Sequence, residues 1–219
     1  MEIWLDSTNV ETIREAANMG ILHGITTNPT ILSKSNVKLE ELLKQLLDIQ
    51  SGPITIQVVG KTAPEMISQA KNLHAFSPRI LIKIPCTQEG FKAMKALSSL
   101  SIRTMATAAY TPLQAFFAYQ AGAEYTAIYL SRIADAGADS MHVMTQIQHL
   151  RKNYSLPGKL LAASIRFQQQ VEKCLEIGVN AITIDDKLFK EMMSDHPLTI
   201  ERLQSFEKDW QKVNTGLMK

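Results

Sequence analysis

The chain has 219 residues, 45% of them hydrophobic, and its 23 Lys and Arg against 21 Asp and Glu leave a net charge of +2. That balance gives no electrostatic footprint for nucleic acid or an anionic membrane, and no block of like charge stands out. No apolar run approaches the roughly 20 residues that span a bilayer. The opening MEIWLDST carries neither the basic segment nor the apolar core of a secretory signal, and two cysteines, Cys86 and Cys174, read as small apolar fillers in a reducing cytoplasm.

In chain order, short apolar or β-branched runs recur at 3–6 (IWLD), 24–28 (GITTN), 55–59 (TIQVV), 80–84 (ILIKI), 103–108 (RTMATA), 125–130 (YTAIYL), 159–164 (KLLAAS) and 181–185 (AITID). Between them lie helical patterns. Thr8 with Glu11 reads as the first helix start. Leu39, Leu42, Leu43 and Leu46 then form one stripe, as do Val143, Ile147 and Leu150, and Val171, Cys174 and Leu175. The segment TAPE at 62–65 is a capping box with Pro64 in the first turn. Pro112 follows Thr111 at another helix start, and Gly20 and Gly122 stand where left-handed helix ends are wanted. No linker or low-complexity tract divides the chain, so residues 1–219 read as one domain.

Eight strands alternating with eight helices predict a parallel α/β architecture, and the count and length favour a closed (β/α)8 TIM barrel over an open doubly wound sheet. No glycine-rich dinucleotide loop follows the first strand. A further helix at 199–214 carries Leu203, Phe206, Trp210 and Val213 on one face, a stripe expected to cover the barrel end or a neighbouring subunit.

Within ILIKI, Lys83 is a misfit. If Ile80, Ile82 and Ile84 face helices, Lys83 points into the barrel with Leu81. An edge-guarding lysine is one other use of such a residue, but a closed barrel has no edge; a lysine with a buried stem and its head in solvent at the barrel mouth is another, and position alone does not separate it from a catalytic one. A desolvated lysine is driven toward its neutral form, and a neutral amine can attack a carbonyl to form a Schiff base. Polar groups near the C-terminal ends of other strands converge on the same end: Asp6, Thr26, Asn28, Gln57, Thr107, Tyr129 and Ser164. Any single Thr or Ser there could be an ordinary core polar group; together they suggest a site. Arg132 and Arg166 lie at the same rim and suit an anionic tail, whereas Asp185 and Asp186 after the last strand would repel one.

The segments WLDS, GITTNPT, LIKIP, AGAEYTAIYLSRI, LAAS and FEKDW together resemble the small transaldolase family, and within it the fructose-6-phosphate aldolase-like branch, from Met1 to about Trp210. That resemblance implies a Schiff-base mechanism without metal or organic cofactor, acting on small-molecule sugar phosphates in a cytoplasmic homo-oligomer, a pentamer or decamer. Lys83 matches the Schiff-base lysine and Asp6 the proton-handling carboxylate, while Thr26 and Asn28 match residues holding substrate hydroxyls. Gln57 and Thr107 match positions for the catalytic water, with Tyr129 as the proton-transferring phenol. Arg132, Ser164 and Arg166 match the phosphate site; the branch often has lysine at the last of these.

Transaldolases of this family pair glutamate with phenylalanine where this chain has Gln57 and Tyr129, so the resemblance favours the aldolase reaction, with dihydroxyacetone transfer between sugar phosphates as the alternative. Less favoured are a phosphosugar isomerase and a non-catalytic sugar-phosphate binder.

Overall fold

Alternation along each strand decides which side chains meet the helices and which meet each other inside. The computed structural model describes residues 1–35 and 37–213. The chain runs β1 (Glu2–Asp6), α1 (Val10–Asn18), β2 (Leu22–Thr26), α2 (Pro29–Leu32), α3 (Leu39–Ile49), β3 (Ile54–Gln57), α4 (Ala63–Phe76), β4 (Ile80–Pro85), α5 (Gln88–Ser98) and β5 (Thr104–Ala109). It continues through α6 (Pro112–Gln120), β6 (Tyr125–Tyr129), α7 (Leu130–Asp135), α8 (Ser140–Asn153), β7 (Lys159–Ala163), α9 (Gln168–Ile177), β8 (Ala181–Ile184), α10 (Asp186–Met192) and α11 (Pro197–Trp210). The strands pair in sequence order, all parallel, and β1 closes on β8. The (β/α)8 barrel expected from the sequence is therefore present.

Two hydrophobic clusters follow from the closure. Ile80, Ile82 and Ile84 of β4 join the layer between strands and helices, whereas Leu81 joins a smaller cluster with Trp4, Met105, Tyr125 and Leu161 inside the barrel. At the strands' N-terminal ends, Lys159 Nζ donates to Glu2 Oε1 at 2.6 Å and Tyr125 OH donates to Glu2 Oε2 at 2.8 Å. This polar group and the fully buried Trp4 close that end of the barrel. Gly24 sits against the Trp4 indole: a Cβ there would stand 2.7 Å from a ring carbon and 2.6 Å from the Pro53 carbonyl oxygen.

Local signals were realised unevenly. Thr62 and Glu65 form the expected capping box of α4, and Gly20 and Gly122 adopt positive φ (72° and 90°). The start of α1 differs from the reading on Thr8: Asn9 is the N-cap, its side chain accepting from Glu11 N (3.0 Å) and Thr12 N (3.2 Å). Asparagine is among the strongest N-caps and stands one residue closer to the first turn. Strand β2 ends at Thr26 rather than Asn28, because Asn28 caps α2 instead. Strand β3 ends at Gln57, and Val59 beyond it is exposed. The short helices α2 and α7 stand in the loops after β2 and β6, beyond the eight helices expected.

Strand β5 holds an irregularity that bears on the site. Its pairing with β6 runs from Ala106↔Thr126 to Ala109↔Ile128, so two residues of β5 oppose one of β6. Ala108 takes φ 50°, a left-handed conformation uncommon for alanine. Ala106 and Ala109 consequently both face the helix layer.

The last helix, expected at 199–214, spans Pro197–Trp210; Val213 lies beyond its end and residue 214 outside the described residues. No residue of α11 is buried, and Leu203, Phe206, Trp210 and Val213 all lie open.

Candidate active site

Lys83 stands one inward position above Leu81, toward the C-terminal end of β4. It is 3% exposed, and its Nζ donates to the Thr27 carbonyl oxygen at 3.0 Å. Burial lowers its pKa below the ordinary lysine value, with the Asp6 charge pulling the other way. Asp6, at the end of β1, is displaced oppositely: burial raises it, Lys83 and the Thr26 hydrogen bond lower it, and Asp185 and Asp186 raise it further. Both members of the pair thus lean toward their uncharged forms, since each charge is poorly solvated at that depth.

Thr26 does not line the cavity around Lys83. Its hydroxyl is fully buried, donates to Asp6 Oδ1 at 2.7 Å, and lies 2.6 Å from the Thr183 hydroxyl. A hydroxyl has one proton, so Thr183 is the donor in the second contact and the order is Thr183 to Thr26 to Asp6. Thr26 therefore orients the carboxylate, and Thr183, which was not singled out in the sequence, faces the cavity in its place.

The cavity has a volume of about 930 Å³ and opens at the strands' C-terminal ends. Asp6, Gln57, Lys83 and Tyr129 meet in it, and Asn28 and Ser164 line its sides. The Asn28 side-chain oxygen accepts from Ile31 N at 3.0 Å, which leaves its NH2 as the group available to a ligand. Tyr129 OH lies 3.0 Å from Thr107 Oγ1. Thr107 is fully buried and reaches that phenol rather than the cavity itself. Burial raises the Tyr129 pKa, against the pull of the Thr107 hydrogen bond, so the phenol keeps its proton at neutral pH.

At the rim the two arginines part company. Arg132 lines the cavity near Ser164. Ser164 adopts φ 56° at the end of β7, and its carbonyl accepts from Ser131 N at 3.2 Å. Arg166 lies outside the lining and forks onto Asp135, Nη1 to Oδ1 at 2.8 Å and Nη2 to Oδ2 at 2.7 Å. The Arg132 guanidinium stands 3.9 Å from the same carboxylate. Asp135 had no distinguishing mark in the sequence. Nor did Lys34, which with Asp185 and Asp186 completes the charged lining. Asp185 caps α10 through Leu188 N (2.8 Å), while Asp186 Oδ1 is buried without a hydrogen-bond partner among the described residues.

The family described as Transaldolase/Fructose-6-phosphate aldolase matches residues 3–218. A probable transaldolase of Streptococcus equi subsp. equi is 38% identical over 210 residues, 96% of this chain and 98% of that protein. The chain belongs to the transaldolase/fructose-6-phosphate aldolase family. It is accordingly an enzyme of that family's Schiff-base type. A probable transaldolase of Thermoplasma acidophilum is 36% identical, with 98% of this chain and 97% of the other covered. A probable transaldolase of Coprothermobacter proteolyticus is 38% identical over 97% and 98%. Among solved structures, a mandelate oxidase superposes with a TM-score of 0.57 at 13% identity over 84% of this chain and 63% of its own, a likeness of fold alone.

The desolvation of Lys83 can be read directly. A small amine-reactive reagent should modify Lys83 with a pH midpoint below the ordinary lysine value of 10.5, followed by mass spectrometry of the labelled peptide. Asp6→Asn should move that midpoint lower still, because the Asp6 charge favours the ammonium and its loss removes that support. A midpoint at the ordinary value in the unsubstituted protein would show that Lys83 is solvated.

Proposed function

We propose that this enzyme is a fructose-6-phosphate aldolase, cleaving and forming the C3–C4 bond to interconvert fructose 6-phosphate with dihydroxyacetone and glyceraldehyde 3-phosphate, through an imine on Lys83. The observation that carries this reading is Tyr129, its hydroxyl 3.0 Å from that of the buried Thr107, meeting Gln57 and Lys83 in one cavity.

The chemistry follows from the groups present. The neutral Lys83 amine adds its lone pair to C2 of the ketose. The C2 oxygen collects one proton from the attacking nitrogen and one from an acid, a role that the raised pKa of Asp6 supports, and leaves as water. In the resulting iminium the C3–C4 electron pair flows to nitrogen as the C4 hydroxyl loses its proton, and glyceraldehyde 3-phosphate departs. The remaining enamine takes a proton at C3. Water then adds to C2, and expulsion of Lys83 frees dihydroxyacetone. That last step needs a held water and a group that moves its proton, which a phenol paired with Thr107 and a nearby Gln57 amide can supply. Asn28 is suited to a donor hydroxyl, and Arg132 with Ser164 to the phosphate.

The names of the relatives support a second reading, transaldolase, in which C3 of the enamine attacks the carbonyl of an aldose phosphate such as erythrose 4-phosphate instead of being protonated. The two free, buried cysteines, whose thiols burial pushes up to about 12, suit a reducing cytoplasm. The open stripe of α11 suits docking on a neighbouring copy in a ring, a pentamer or decamer by resemblance.

Three measurements test these readings. Fructose 6-phosphate without an acceptor should release free dihydroxyacetone, and Tyr129→Phe should suppress that release more than transfer to erythrose 4-phosphate; transfer alone in the unsubstituted enzyme would establish the transaldolase instead. Arg132→Ala should raise KM for phosphorylated aldehydes about ten- to hundredfold and spare unphosphorylated ones. Arg166→Ala, already committed to Asp135, should have the smaller effect, and equal losses would give Arg166 a direct part. Removal of residues 200–219 should lower the oligomeric state in ultracentrifugation, and an unchanged state would remove α11 from the interface.

A further inference from the structure

We propose that Thr55 and Thr27 form a positioning clamp that holds a backbone carbonyl against the Lys83 nitrogen and so aims its lone pair into the cavity. The proposal rests on the reading of Lys83 as the nucleophile and names two residues that never touch substrate.

Strands β2 and β3 share one registered pair, Ile25↔Ile54, and diverge beyond it. Two side-chain contacts take over where the ladder stops. Thr27 N donates to Thr55 Oγ1 at 3.0 Å, and Thr27 Oγ1 donates to the Thr55 carbonyl at 2.6 Å. Both threonines are fully buried. Thr55 is an inward position of β3, between Ile54 and Ile56 of the helix-facing layer and one step below Gln57, which pairs with Lys83 across the ladder. The two bonds fix the Thr27 residue on both sides, and its carbonyl is the group that receives Lys83 Nζ.

The effect on the nucleophile is geometric. A neutral amine has two N–H groups and one lone pair. With one N–H held by the Thr27 carbonyl, the lone pair is turned away from that oxygen by repulsion and takes one of the two remaining positions, toward the cavity that Lys83 lines. Thr55→Val keeps the shape of the side chain but leaves a buried N–H at Thr27 without an acceptor, so one of the two anchors of that residue is lost and the direction of its carbonyl, in the next peptide, is less tightly held. The nitrogen then loses its orienting partner. It also loses an acceptor that favours the ammonium, which displaces the pH at which it becomes reactive downward. Asp6, Tyr129, Asp185 and Asp186 share the cavity and stay in every variant, so a displacement between variants isolates the clamp.

The test is borohydride trapping of Lys83 with fructose 6-phosphate across pH, scored per folded molecule by mass spectrometry, alongside kcat and KM. In Thr55→Val the trapping rate and kcat at neutral pH should fall about tenfold with little change in KM, and the pH profile should move to lower pH. Thr55→Ser, which retains the hydroxyl, should recover most of the rate and restore the profile. If Thr55→Val does not fold, Thr27→Val compared with Thr27→Ser carries the same test through the other bond of the clamp. Folded valine variants that trap at the unsubstituted rate with an unmoved profile would overturn the clamp and leave the threonines as a seam between strands. Absence of any adduct at Lys83 in the unsubstituted enzyme would overturn the nucleophile reading itself, and the clamp with it.

Discussion

An amino group in the interior of a closed sheet has lost the water that would solvate its charge, and the rest of the site is arranged around that loss. Lys83 reaches the barrel interior because β4 alternates with three isoleucines turned to the helices. Among the described residues, the acceptor that meets its nitrogen is a main-chain carbonyl, a weaker partner for a cation than a carboxylate in contact would be. Asp6 acts on it through the field and is itself buried enough to resist ionisation. A closely paired, fully solvated lysine would hold its proton and be useless as a nucleophile. Burial thus moves the amine and the carboxyl toward each other in acidity, the direction that carbonyl addition and dehydration favour.

Charge around the cavity is divided. Arg132 with Ser164 stands on the side of β6 and β7, whereas Asp185 and Asp186 follow β8 and Asp6 ends β1. Asp135 takes Nη1 and Nη2 of Arg166 in a fork and stands 3.9 Å from the Arg132 guanidinium. An anionic group entering the cavity therefore meets one free guanidinium rather than two, and an opposing field from the carboxylates. The cavity gives a charged molecule a preferred direction before any hydrogen bond forms.

Much of this was legible from alternation alone. The period of ILIKI placed Lys83 inside and the isoleucines outside, and the position of Asp6, Gln57 and Tyr129 at strand ends placed them beside it. What escaped depended on contacts that have no period. Thr26 carries the inward parity of a ligand-facing residue, yet its single proton is already given to Asp6, and that is visible only once β1 and β2 lie side by side. Thr183 sits in the middle of an apolar strand, where an isolated threonine has no mark to separate it from core. Asp135 lies in a stretch whose helix the sequence reading did not assign, and its meeting with Arg166, 31 residues on, is set by the closure of the barrel. Asn9 displaced Thr8 as a cap because two good candidates stood together and backbone geometry chose between them. The positive φ of Ala108 could not be foreseen, since alanine carries no preference for it.

That bulge separates two demands that a regular strand would tie together. On an even pleat, whatever stands at 107 fixes, by parity, which residues beyond it pack beneath the helix layer. With one residue absorbed at 108, Ala106 and Ala109 both reach that layer while Thr107 remains beside Tyr129. The bulge thus sets the parity of the strand beyond 107. The restriction moves to 108, where a left-handed backbone admits small side chains, asparagine or glycine and disfavours branched ones. The side chain admitted at 108 is accordingly limited by its backbone rather than by its neighbours in the cavity.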